Sequence, residues 1–181
     1  MTNSAQATCE NKPTSPLVFD WNVQFERAPN VLGLEYWKSR CLGRRMPCRE
    51  DLDPVAMRKF TPHVGLIEIH QQDTEIDYFV RRAGSRIEDV FGPITGRYIR
   101  EFLPPNIEDR WRTVYGAVRT EKSPVRVTTK INFQNKNWLS TEFLVAPLGV
   151  DDEPSMLFLT FVVWGEPIPI LPPRAAMLHR I

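Results

Sequence analysis

Asn106 to Phe133 reads NIEDRWRTVYGAVRTEKSPVRVTTKINF, and its hydrophobic period changes once. Up to Thr120 the apolar residues Ile107, Trp111, Val114, Tyr115 and Val118 recur at three- and four-residue steps, which is one face of a helix. Asn106 stands where a cap belongs, and Glu108 and Asp109 suit the positive end of the helix dipole. After Pro124 the period falls to two. Val125, Val127, Thr129, Ile131 and Phe133 share one face, while Arg126, Thr128, Lys130 and Asn132 share the other. That is a half-buried antiparallel strand.

Downstream, Gln134–Asn137 reads as a turn and Trp138 to Leu148 as a second long strand. Asp151 to Pro154 is another turn. Ser155 to Trp164 (SMLFLTFVVW) is apolar on both faces, so it predicts a central or covered strand. Upstream, Thr95 to Leu103 is a loop, and Ser85-Arg86-Ile87-Glu88 is a capping box opening a short helix through Phe91. Val64 to His70 and Ile76 to Ala83 are strand-like, joined by a polar hairpin turn. Asp53-Pro54 opens a short helix over Val55 to Phe60. Asn30 caps a helix over 31–42 with Val31, Leu34, Trp37 and Cys41 on one stripe. Helices segregated between two groups of antiparallel strands predict an α+β fold.

The remainder bounds the domain. Residues 1–29 read as a flexible N-terminal tail, 30–165 as one domain (helices over 30–62, core over 63–165), and 166–181 as a proline-rich, extended tail ending in a possible turn of helix over Ala175–Ile181. The chain has 16 Pro and 9 Gly. Pro47, Pro54, Pro62, Pro93, Pro104-Pro105, Pro124 and Pro154 each mark a loop, a helix start or a stop.

Composition excludes several classes. The net charge is +1, too small a field to favour nucleic acid or an anionic membrane. No apolar run approaches the ~18 residues of a membrane span, and the polar start from Met1 to Cys9 gives no signal peptide. Cys9, Cys41 and Cys48 match no disulfide or zinc spacing, which predicts reduced thiols and a cytoplasmic protein. His63, His70 and His179 have no metal-site spacing, so no metal is expected. No nucleophile elbow, P-loop, dinucleotide fingerprint or HExxH is present. Asp73, Glu75 and Asp77 crowd one turn and read as solvated. The prediction is a non-enzyme.

The order of elements resembles the PAS domain. RRAGSRIEDVFG (Arg81 to Gly92) is similar to the strand-to-helix junction of that family, and TGRYIREFLPP (Thr95 to Pro105) to the segment before its long helix. EYWKSRCLGRRMPCREDLDP (Glu35 to Pro54) resembles the N-terminal helix and linker of stand-alone bacterial PAS proteins of alphaproteobacterial type. Arg82 departs from the aliphatic residue such relatives carry. The resemblance implies a five-stranded antiparallel sheet in the order 2-1-5-4-3 with helices on one face. It also implies a sensory or signalling role through protein contact, with a small ligand in the core as a possible gate.

Several sites follow. In the PAS fold the cavity lies between the sheet and the helices. Tyr78, Val80, Phe91, Trp111 and Tyr115 are placed to line it, with Arg82 at its mouth able to hold a carboxylate. The alternative is a solid core. The cofactor is left unknown: the helix matching that of flavin photosensors has no Cys, which excludes a photoadduct, and no His lies between Asn106 and Thr120 to hold haem. Seventeen Arg against six Lys cluster at Arg44-Arg45-Arg49, Arg81-Arg82-Arg86, Arg97-Arg100 and Arg110-Arg112. Acids interleave with every cluster, so internal pairing is expected. Leu34, Trp37, Phe158 and Trp164 are candidates for the interface of a homodimer or of a signalling partner, with Phe19, Trp21 and Phe25 adding to the patch. Two other readings stand beside this one. A ketosteroid-isomerase-like α+β cone enzyme requires a carboxylate in the cavity; a purely structural dimerisation module requires none.

Overall fold

The computed structural model describes residues 18–130 and 139–164. Residues 1–17 of the tail expected over 1–29, the tail expected over 166–181, the Gln134–Asn137 turn, Ile131 and Phe133 of the first long strand and Trp138 of the second lie outside them.

Among the described residues the strands are β1 (Val18–Asp20), β2 (Val64–Gln72), β3 (Glu75–Ala83), β4 (Val125–Lys130), β5 (Ser140–Val150) and β6 (Glu153–Trp164). The helices are α1 (Ala28–Cys41), α2 (Ser85–Phe91) and α3 (Pro105–Glu121), with short 3-10 turns at Arg49–Asp51, Thr61–His63 and Ile99–Glu101. One antiparallel sheet runs β1-β4-β5-β6-β2-β3. Without β1, that is the strand order the resemblance implies.

The sheet has six strands rather than five. β1 comes from the segment expected as tail and pairs with the outer edge of β4, Phe19 opposite Val127. Three residues are too few to show a period of two. The helices also occupy both faces rather than one. On one face α2 and α3 pack on Ile67, Val80, Val125, Phe143, Leu157 and Phe161. On the other, α1 packs on Leu66, Leu144, Leu148, Met156 and Phe158. Period-two strands therefore bury both phases, and β6 is central and covered as its apolar run requires.

Local chemistry differs from the predicted caps. α1 starts three residues early, with Pro29 in its first turn, a place where the missing N–H costs nothing. Asn30 is thus inside the helix and turned onto the sheet. α3 likewise starts at Pro105, ahead of Asn106. Gly84, not Ser85, sits at the N-cap of α2, and Glu88 accepts hydrogen bonds from the Thr95 backbone N–H and hydroxyl instead. An added Cβ on Gly84 would lie 2.4 Å from the Pro62 carbonyl oxygen, so the residue's small size is what lets the strand-to-helix junction close. Val55 to Phe60 forms turns rather than a helix, started by Asp53 accepting from the Val55 N–H at 2.8 Å. Pro147 is tolerated inside β5 because β4 begins only at Val125, opposite Val145, so no ladder bond to β4 is required of it. Its carbonyl accepts from the Trp37 indole at 2.8 Å.

Candidate functional site

The space between the sheet and the α2–α3 layer is almost full. Six rings run across it in sequence: Phe91, Phe161, Phe143, Trp111, Tyr115 and Tyr78. Successive centroids are 5.8, 4.7, 4.6, 5.5 and 4.9 Å apart. These are the tilted and edge-to-face separations aromatic pairs favour, each contributing about 0.5–1.5 kcal/mol beyond area burial. What remains is a cavity of about 50 Å³. Val80, Arg82, Phe91, Trp111 and Tyr115 border it, together with Ile99, Leu103, Phe143 and Phe161. Of the predicted pocket residues, Tyr78 alone is not on its wall; it belongs to the surrounding core. Phe143 and Phe161 were missed by sequence reasoning, although both share the inward phase of their strands with Val145 and Leu159. Burial pushes the Tyr115 phenol well above its usual range, with the neighbouring Tyr78 adding to the effect, and burial also raises Tyr78. Both stay neutral at physiological pH and act as packing groups.

Arg82 does not complete the inward row of Ile76, Tyr78 and Val80. A β-bulge intervenes: Ile67 pairs with Val80 and Leu66 with Arg82, leaving Arg81 as the extra residue. Arg82 is exposed at the strand end, bordering the cavity from outside.

The opposite face holds a polar group of residues that the sequence reading did not anticipate. Glu142 of β5 and Thr160 of β6 are fully buried beneath Asn30 of α1. The Asn30 amide donates to the Glu142 side chain at 2.9 Å and to its carbonyl at 3.0 Å, and the Thr160 hydroxyl donates to the Asn30 Oδ1 at 2.7 Å. Arg126 of β4 donates to the same carboxylate at 2.7 Å. Every buried charge here is paired and hydrogen-bonded, as a dry site demands. The available signal was Glu142 on the phase of Leu144 and Ala146, beside an Arg on the neighbouring strand. The group fastens α1 to the sheet.

A family model described as PAS domain matches residues 26–162. This chain belongs to the PAS domain family. No curated protein matches it.

The placement of site residues in this PAS domain bears on the flavin and haem considered from the sequence. Ligand pockets span ~300–1,000 Å³; about 50 Å³ fits neither. No His, Cys, Asp or Glu stands on the cavity wall, and among the described residues no three such side chains cluster as a metal site. The isomerase alternative needs a cavity-facing carboxylate, and the buried one, Glu142, faces the other side of the sheet. Asp77, expected to be solvated, is held by Arg100 and by Arg112 at 3.0 Å.

Three of the four interface candidates have another use. Leu34, Trp37 and Phe158 pack against one another's cluster between α1 and the sheet. The apolar outer phase of β6 is covered by the chain's own helix, so no partner is needed there. Trp164 is half-buried, with the Arg27 guanidinium 4.3 Å from its ring centroid. Among the described residues no helix is long and apolar enough to cross a membrane.

Proposed function

We propose that this PAS domain is a non-enzymatic signalling module whose output passes through protein contact, with a second copy of itself as the first partner. The observation that carries the reading is the filled core. The fold's usual ligand space is reduced to about 50 Å³ by the aromatic seam, which leaves the surface as the place of action. Gating by a ligand in the core, which would work by shifting a population of states, has no room there. The contact surface is the β1 edge. β1 is three residues long and its outer side is unpaired among the described strands. Val18, Phe19 and Trp21 are 53%, 36% and 42% exposed beside it. An open edge with apolar neighbours is a template for pairing with another chain. The free thiols of Cys41 and Cys48 suit a reducing compartment, and the proposed location is the cytoplasm.

Native mass spectrometry of the full chain tests this. The expected result is a dimer, and conversion to monomer in the F19D/W21D variant. A monomeric parent chain overturns the reading. The purely structural module shares the dimer; it differs in having no downstream contact.

A further inference from the structure

A second recess lies on the α1 side of the sheet, between the linker after α1, the start of β2 and the end of β3. Its volume is about 440 Å³, inside the range of small-molecule sites. Leu52, Met57, Val64 and Leu66 give it an apolar lining, and Arg49, Arg81 and Arg82 stand around them with Glu50 as the single acid on the wall.

The bulge in β3 explains the crowding of charge. Regular alternation sends consecutive side chains to opposite faces of a sheet. Here Arg81 is the inserted residue opposite the Leu66–Ile67 step, and both Arg81 and Arg82 border the same recess. Bulges characteristically re-aim side chains near sites of function. Arg44, Arg97, Arg100, Arg112 and Arg126 each face an acid. Arg81 has Glu68 at 3.6 Å. The side chains of Arg49 and Arg82 form no ion pair or hydrogen bond among the described residues.

We propose that this recess binds an organic anion, with a carboxylate or phosphate head between Arg49 and the Arg81–Arg82 pair and a short acyl or aryl body on the apolar floor. Guanidinium groups match planar carboxylate and phosphate oxygens through paired N–H donors. The apolar floor distinguishes the ligand from a bare inorganic anion, because a fully hydrated ion gains nothing from Met57, Val64 and Leu66. The site is on the other side of the sheet from the aromatic core and stands independently of the dimer.

The test is titration of the 15N-labelled full chain with octanoate and with octyl phosphate, with inorganic phosphate and octylammonium as comparison probes. The expected result is saturable amide shifts over Arg49–Leu52, Thr61–Val64 and Arg81–Arg82, with Trp111 and Tyr115 unmoved. Whichever of the two amphiphiles binds more tightly identifies the head group. R49Q and R81Q, both at exposed positions, should each weaken binding about tenfold, the scale of one lost hydrogen bond to a charged group, with unchanged melting. Four results overturn the proposal: no saturation below millimolar probe, shifts centred on Trp111 and Tyr115, parent-like affinity in both Arg variants, or octylammonium binding as well as octanoate. Inorganic phosphate binding as tightly as octyl phosphate removes the role of the floor. Since amide shifts and not oligomeric state are read, a monomeric chain leaves this result unaffected.

Discussion

Replacing Gly33 by Ala reverses the usual sign of a helix substitution. In an exposed helix interior the change stabilises by about 1 kcal/mol. Gly33 instead lies on the buried side of α1, over β6. An added Cβ would sit 2.5 Å from the Thr160 Cγ2, 3.0 Å from its Oγ1 and 3.3 Å from its Cβ. Thr160 is fully buried and stiff at χ1, and its hydroxyl is committed to the Asn30 Oδ1 at 2.7 Å. Relief requires either lifting α1 from the sheet or turning Thr160. The first opens the layer holding Leu34, Trp37 and Phe158. The second breaks the bond to Asn30 and leaves a buried acceptor unsatisfied, at about 1–3 kcal/mol. Overpacking of this kind costs about 1–3 kcal/mol, so G33A is expected to destabilise by roughly that amount after its propensity gain. Gly116 supplies the control: it is within α3, and a Cβ there meets nothing within 4 Å, so G116A is expected to stabilise by about 0.5–1 kcal/mol. Urea unfolding followed by far-UV circular dichroism measures both from the midpoints. Adding T160A to G33A removes the clashing Cγ2, and the two costs should then fall short of additivity by about 1 kcal/mol. If G33A stabilises as G116A does, or if the double variant is additive, α1 does not rest on Thr160 as described.

Two further outcomes are expected. Arg126→Ala strands the fully buried Glu142 carboxylate and should destabilise near the lower end of the ~3–5 kcal/mol typical of a broken buried pair, because part of Arg126 reaches solvent; the paired substitution R126M/E142L should recover most of it, and equal loss in both would refute the assignment. Asp51 is held down to about 2 by the Cys48 thiol and backbone N–H, with Arg44 adding to the effect. A depressed carboxylate stabilises the fold above its ordinary value of 3.8 and loses that contribution as pH falls through about 2. Melting temperatures of D51N should therefore fall less than those of the parent between pH 4 and pH 2, and parallel curves would count against the contact.

The strands and α3 were legible because burial imposes a period on them. Val125 and Val127 alternate with Arg126 and Thr128, and the run from Met156 to Trp164 has no polar phase at all, which requires cover on both sides. The caps were less legible. Ser85 and Asn106 have cap chemistry, yet the chain uses Gly84 and Pro104 at those positions, where close approach and a fixed φ decide instead. Asn30 was misread for the same reason: an Asn before an apolar stripe signals a cap, and nothing local reveals that Glu142 and Thr160, more than a hundred residues away, offer better partners. Arg82 shows the limit of counting by twos. One inserted residue changes the face of everything after it, and a bulge leaves no clear mark in the pair Arg81-Arg82.

Cover on both faces of the sheet also restricts where this domain can meet anything else. A PAS sheet with helices on one side only would leave the outer phase of β5 and β6 for a partner, and Leu34, Trp37 and Phe158 were read in that light. With α1 laid over that phase and fastened through Asn30, Glu142 and Thr160, the broad faces are interior. What remains are the two sheet edges and the recesses where loops cross strand ends. The β1 edge carries exposed apolar side chains, whereas the β3 end carries Arg81 and Arg82, the second without an acid partner among the described residues. Of the residues lining either space, Arg82 alone borders both the core cavity and the anion recess. An arginine suits such a position because its methylene stem is apolar and its head is charged. An aliphatic residue there would close the core but take one of the three cations from the recess, so the departure of Arg82 from the resemblance is better explained by the recess than by the cavity.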